Sequence, residues 1–480
     1  MKMTRWALAA ALSLSMWGRV TQADEIRSYR PVGAGAAPAR ASLSDDGTAI
    51  GSGLQAQPVA HLGAEAPAAA VAGCDTSCGP NCTLLSDLGE PFKLFDGCFF
   101  QERRIQAGGW LAQSFTWNPY QPNDRFNGPM TWTDRSNEYQ MNELYLTINR
   151  AADTQGAGWD YGYGIDTLYG TNYRWNTAAG LETNLNGSSS SFYGAAIPQA
   201  YFEIAKDDVT VKMGHFLSPV GYFAVGTHRN FFPVLPYTFQ YGEPFTHTGA
   251  LATWKMSDKL SIGNGITRGW DNFDGSGNPN LGYLGTLNYT RDNGDTIAWV
   301  GLYGREPNFT GVGPYSTTGL GYSTRYLQTL TYTRKFSDDV IGVLQSDYGV
   351  QGDAVNVGGE DRTARWYGLN SYLLWNQTCR LQWGANMEWF RDEQGFRVGQ
   401  VLPSFGSPDA RGYAQPAGFD GSFYAFTFGP KYYLTPNAYS RVAFRADWYE
   451  GKRNGNGAVP FDDGTKSNQQ VVVFDFVVTF

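Results

Sequence analysis

From residue 103 onward the chain repeats one cycle: about ten residues of alternating apolar and polar side chains, then a turn. Leu144, Leu146 and Ile148 share one face while Glu143, Tyr145, Thr147 and Asn149 share the other. Leu381, Trp383, Ala385, Met387 and Trp389 oppose Gln382, Gly384, Asn386 and Glu388. Val442, Phe444, Ala446 and Trp448 oppose Arg441, Ala443, Arg445 and Asp447. A period of two marks strands with one apolar and one wet face. Sixteen strands are expected, over 103–117, 138–150, 159–171, 197–206, 209–218, 246–256, 259–271, 280–290, 295–304, 324–335, 338–348, 364–376, 379–391, 421–433, 438–449 and 471–480. The alternation is poor in 246–256 and 421–433.

The links carry as much information as the strands. After even-numbered segments they are usually tight: Lys206-Asp207-Asp208, Ser257-Asp258, Asp292-Asn293-Gly294, Ser337-Asp338, Asn376-Gln377-Thr378 and Thr435-Pro436-Asn437, with only Asp153 to Gly158 longer. These residue types suit tight reversals. After odd-numbered segments the links are usually long, at 118–137, 172–196, 219–245, 305–323, 349–363, 392–420 and 450–470. A soluble sandwich has no reason to gather its long loops at one end. A membrane barrel does, with short periplasmic turns and long external loops. The expected fold is therefore all-β, a transmembrane antiparallel barrel of about sixteen strands spanning residues 103–480.

Composition fits that inside-out arrangement. Charged residues are 17%, aromatics 15%, and mean hydropathy is −0.37. Apolar side chains are thus interleaved with polar ones, and beyond residue 23 no apolar run reaches the ~18 residues of a helical span. The formal net charge of −8 and the lack of a basic stripe exclude nucleic acid as a partner. Aromatics near strand ends (Trp117, Trp159, Tyr169, Trp254, Trp270, Tyr289, Tyr303, Tyr348, Trp366, Trp389, Tyr433 and Trp448) are expected to form girdles at the two interfaces. The last segment places Val472, Phe474, Phe476, Val478 and Phe480 on one apolar face. Its terminal aromatic, Phe480, resembles the assembly signal of bacterial outer-membrane barrels, which implies barrel-assembly machinery as a partner.

The N-terminal part reads differently. Residues 1–23 have the basic start, apolar centre and small-residue cleavage site of a signal peptide. Residues 24–73, rich in Ala, Gly and Pro, are expected to be a disordered linker. Residues 74–102 form a Cys-containing periplasmic or plug segment. In an exported protein Cys74, Cys78, Cys82 and Cys98 read as two disulfides in preference to a metal site, with three pairings open, and Cys379 as a free thiol.

Three stretches carry a family resemblance: GEPFKLFDG (89–97), GHFLSPVGYF (214–223) followed by PFTHTGALATW (244–254), and GITRGWDN (265–272). With the terminal strand they resemble the OmpL-like β-barrel porin family, β-barrel porin-2, over about residues 85–480. The resemblance implies an outer-membrane, channel-forming protein of undefined substrate and carries over no catalytic residues.

Sixteen strands leave room for an aqueous lumen. Its candidate lining is Glu143, Asp166, Glu203, Arg268, Arg334, Glu388, Arg441, Arg445, Asp447 and Asp475, and their mixed signs argue against strong ion selectivity. The third long link, 219–245, holds Pro219, Pro233, Pro236 and Pro244, together with Tyr222, Phe223, His228, Arg229, Phe231 and Phe232. So apolar a loop is expected either to fold inward and constrict the channel, or to pack as a lid or subunit contact. No metalloprotease, P-loop or nucleophile-elbow motif is present, and His215, His228 and His247 read as structural. The chain is therefore expected to be a porin, not an enzyme, that passes small hydrophilic solutes or ions without a cofactor or metal. Outer-membrane lipid and a homotrimer are its expected partners. The alternatives are a non-conducting structural or surface-binding barrel and, third, a barrel-embedded hydrolase.

Overall fold

The computed structural model describes residue 88 and residues 91–480, apart from 96, 187–191, 276–277, 308–320, 358–359, 400–417 and 456. The expected signal peptide, linker and Cys74, Cys78 and Cys82 lie outside the described residues. After a short helix at Cys98–Glu102 come sixteen strands: β1 (Gln106–Trp117), β2 (Tyr139–Arg150), β3 (Trp159–Gly170), β4 (Gly194–Lys206), β5 (Val209–Leu217), β6 (Thr246–Lys255), β7 (Leu260–Thr267), β8 (Gly282–Thr290), β9 (Thr296–Pro307), β10 (Tyr322–Lys335), β11 (Val340–Val357), β12 (Glu360–Asn376), β13 (Leu381–Asp392), β14 (Gly421–Thr435), β15 (Ala438–Gly451) and β16 (Asn468–Thr479). Each pairs antiparallel with its neighbour, and β16 returns to β1 to close the barrel.

Closure uses the chain's last residues. Phe115 faces Phe474 and Trp110 faces Thr479 in the β1–β16 ladder. Beyond it Gly109 and Phe480 exchange two backbone hydrogen bonds of 3.0 Å. Only glycine fits at 109, because a Cβ there would lie 2.1 Å from the Tyr145 carbonyl oxygen and 3.0 Å from the Phe480 ring. The ladder thus ends without a free edge. That is what a sheet surrounded by hydrocarbon requires.

Parity sorts the side chains. On β12, Leu369, Leu373 and Trp375 are exposed on the outer face, while Trp366, Asn370 and Tyr372 are buried on the inner face. Trp117, Trp159, Tyr169, Trp254, Tyr289, Tyr303, Tyr348 and Trp448 are exposed as a girdle requires. The other four are not: Trp389 is half-buried, and Trp366 and Trp270 are buried and pack edge to face, 6.1 Å apart. Tyr433 also turns inward, against Tyr439.

Three further expectations change. The link at 349–363 is mostly strand, since β11 and β12 run on to Val357 and Glu360 with a register shift between Gln351 and Val355. Asp353, at φ +47°, supplies the irregularity. The segment 259–271 ends as a strand at Thr267. Among the cysteines, Cys98 is free and exposed, whereas Cys379, in the turn between β12 and β13, is disulfide-bonded. Local clustering in sequence misjudged both, because pairing depends on which turn the folded chain brings near.

A lipid-facing cation tests the parity. Leu369→Arg places a charge on the outer face of β12 and is expected to lower stability by about 2–4 kcal/mol near mid-bilayer. The difference is read from denaturant titration in lipid vesicles, with Leu369→Phe as the near-neutral control.

Candidate functional site: the lumen and the inward loop

The third long loop, residues 218–245, leaves β5 and re-enters β6 through a clasp built from the sequence motifs singled out above. The Ser218 N–H donates to the Phe245 carbonyl at 2.8 Å. Asp271 accepts the N–H groups of Phe245 and Thr246, both at 2.9 Å. His247 donates from Nδ1 to the Gly269 carbonyl at 2.9 Å, which leaves Nε2 to meet the Ser218 hydroxyl at 3.1 Å. GHFLSPVGYF, PFTHTGALATW and GITRGWDN are therefore one structural unit, the root of this loop. His215, beside it, hydrogen-bonds Thr248 at 2.9 Å.

From that root the loop crosses the lumen and is pinned to β2, β13 and β15. Glu143 on β2 accepts from Trp110 Nε1 at 2.7 Å, Asn172 Nδ2 at 2.8 Å and the loop's Thr227 N–H at 3.1 Å. Arg441 on β15 pairs with Asp475 on β16 at 2.7 Å and donates to the carbonyls of Thr227 and Asn230 at 2.9 and 2.8 Å. Arg445 pairs with Asp447 at 2.8 Å and donates to the Leu235 carbonyl at 2.9 Å, and Asp447 accepts the Tyr237 hydroxyl at 3.0 Å. Glu388 on β13 accepts the N–H groups of Tyr237 and Thr238 at 2.8 and 2.7 Å and the Thr238 hydroxyl at 2.8 Å. These are charge-assisted bonds away from water, each worth about 1.5–3 kcal/mol net.

Packing reinforces the pins. Phe231 lies over Gly384, where any Cβ would come within 2.3 Å of its ring. Phe223 stacks near Trp132 and Phe239, Tyr222 near Tyr372, and His228 near Trp110, with centroids 6.1, 5.1, 5.0 and 4.3 Å apart. Phe232 is buried against Phe231, their centroids 4.9 Å apart. Arg229 is half-buried beside His228. Burial first, and then the cations Arg229, Lys431 and Arg441, hold His228 well below the usual imidazole range.

The rest of the expected lining divides. Asp166 faces inward and accepts from Tyr145 and Gln199 at 2.6 and 3.0 Å. Glu203 faces inward 3.4 Å from Lys212. Arg268 lies beyond the end of β7, in the loop, where its carbonyl accepts from Asn272. Arg334 does not line the lumen. The inward row of β10 is Arg325, Leu327, Thr329, Thr331 and Thr333, so Arg334 shares the outer parity with Leu330 and lies 5.2 Å from the Phe336 ring.

Several residues here carried little sequence signal. Gln345 on β11 accepts the Tyr222 N–H at 2.7 Å and donates to Glu243 at 2.5 Å and Asp347 at 3.0 Å. Trp366 donates to the Gly242 carbonyl at 3.1 Å, and Arg397 donates to that of Tyr241 at 2.6 Å. Lys431 sits in the poorly alternating β14 segment, just after Pro430. An inward residue on a strand announces its direction by parity but not its partner.

Burial, helped by the Asp347 and Glu388 carboxylates, raises the Glu243 carboxyl well above the usual range. A raised acid stabilises most when protonated, so its contribution is full below the ordinary carboxylate value and is lost as pH rises through the raised one. Limited proteolysis of the loop is expected to quicken with pH in this range, and Glu243→Gln is expected to flatten the dependence. Arg441→Ala leaves Asp475 buried without its cation and is expected to destabilise by about 3–5 kcal/mol, measured by denaturant unfolding.

A family model described as "Putative beta-barrel porin-2, OmpL-like" matches residues 104–480. No curated protein matches the chain in sequence. Among solved structures, the fold is similar to the outer membrane channel DcaP of Acinetobacter baumannii (TM-score 0.50, 10% identity, 78% of this chain and 97% of that one). Also similar are OmpT of Vibrio cholerae (0.48, 8%, 78% and 97%) and OprB of Pseudomonas putida (0.48, 10%, 80% and 96%).

Proposed function

The chain belongs to the OmpL-like β-barrel porin-2 family, and from that membership and the pinned loop we propose a passive outer-membrane channel whose width is set by residues 218–245. Small hydrophilic solutes or ions diffuse through the water left between the loop and the barrel wall. No cofactor is consumed, and no side chain is assigned a catalytic role. The observation that carries this reading is the set of loop contacts to β2, β13 and β15, of which β13 lies across the lumen from the loop's root. A loop held so firmly keeps one geometry, and a fixed constriction is what sieving by size requires.

Export through residues 1–23, recognition of Phe480 by the assembly machinery and a homotrimer complete the proposal. The low wall of β5, β7 and β8, only 9, 8 and 9 residues long, supports the last of these. Ala250 and Ala252 on its outer face would let copies approach closely.

Deleting residues 224–240 is expected to raise single-channel conductance severalfold in planar bilayers. Unchanged conductance in a folded deletion variant would reject the constriction, and a silent wild-type protein would reject the channel.

A further inference from the structure

The lumen's charges are mostly covered or paired. The inward carboxylates are covered: Glu143, Asp166, Glu203 and Glu243 are 0% exposed, Asp447 1%, Asp347 2%, and Glu388 and Asp475 5%. All but Asp166 and Asp347 lie against a cation or the loop backbone, and those two are met by neighbouring amides and hydroxyls. The wall arginines are covered as well, Arg441 and Arg445 being 1% exposed and paired with Asp475 and Asp447, so the lysines are the lumen charges nearest to water. In the Lys212–Glu203 pair, the lysine side chain is 11% exposed and the glutamate 0%. Arg229 is half-buried on the loop. At the periplasmic end, where Asp160 keeps some exposure, it is held by both Arg104 and Arg150.

Lys431 is the clearest case. It faces inward, registered between Gln382 and Arg441. It is 9% exposed, and among the described residues it has neither an ion pair nor a hydrogen bond. Its ammonium lies 4.1 and 5.0 Å from the ring centroids of Tyr439 and Tyr433. A buried cation without a counter-ion is costly unless an anion visits it. The nearest carboxylate, Asp475, is already paired with Arg441, and Glu143 is occupied by Trp110, Asn172 and the loop backbone, so neither serves Lys431 as a counter-ion. In a narrow, low-dielectric passage such charges outweigh those at the rims, which salt screens within about 8 Å.

We propose that the channel prefers anions, with Lys431 forming a transient site for small anions at the foot of the third loop. This rests on the channel reading above and names the class of solute it passes. It also replaces the expectation from mixed signs, which counted charges without regard to which of them water reaches.

The test is the reversal potential of the purified full-length protein in a tenfold potassium chloride gradient. The expected sign is that of chloride passing more readily than potassium. Lys431→Gln is expected to lower the chloride-to-potassium permeability ratio by at least ~2-fold. Lys431→Arg keeps the ratio, and Lys335→Gln, at the outer rim of a periplasmic turn, leaves it unchanged. A conducting wild type that prefers potassium, or neither ion, overturns the anion proposal and leaves the channel standing. A wild type that does not conduct overturns both. If Lys431→Gln conducts with the original ratio, the assignment to Lys431 is overturned.

Discussion

Every feature of this chain follows from the need to satisfy backbone hydrogen bonds where no water can do so. A lone strand in hydrocarbon would leave its N–H and C=O groups unpaired, at several kcal/mol each. The answer is a sheet without edges, and β1 and β16 supply it through a ladder that runs to the final residue. Closure then forces the side chains into two populations, since alternate residues must face lipid or lumen. The composition, with its low charge and high aromatic content, is the record of that division.

Closure also creates a problem inside. A sixteen-stranded cylinder encloses more space than its wall side chains can fill. Here the surplus is taken up by a loop instead of by larger wall residues, and its backbone polar groups must be satisfied in turn. Glu143, Glu388, Arg441 and Arg445 do this work. The two arginines are themselves neutralised by Asp475 and Asp447. The buried charges are therefore structural adaptors between a regular wall and an irregular loop. Apolar residues could not replace them, because they offer nothing to a carbonyl or an amide.

This explains which parts of the molecule the sequence disclosed. The sixteen strands were legible because a period of two is imposed by geometry and recurs whatever the residues are. The long link at 349–363 was not, because Gly352 and Asp353 look like a turn although they sit at an irregularity within a continuing hairpin. The place of Trp366 near a strand end suggests a girdle residue, yet its parity with Asn370 and Tyr372 puts it inside. Arg334 shows the converse limit. On β10 each face carries one leucine, an arginine and at least one threonine, so alternation does not tell inner from outer there. The cysteines failed for a different reason, since Cys379 pairs through three-dimensional proximity that no spacing rule encodes.

The lining charges illustrate why residue identity and residue role separate inside a barrel. A list of inward Asp, Glu, Lys and Arg residues reads as nearly balanced, and balance suggests indifference to ion sign. Once the loop is in place the list splits by task. A carboxylate that accepts two or three hydrogen bonds has its lone pairs occupied, which leaves a passing cation no oxygen to bind. An ammonium resting on tyrosine rings keeps its field, because a ring face attracts the charge without neutralising it. Lys431 over Tyr439 and Tyr433 belongs to the second kind, and Glu388 under Tyr237 and Thr238 to the first. The same architecture that holds the loop against the wall therefore also fixes which sign of charge is left facing the water.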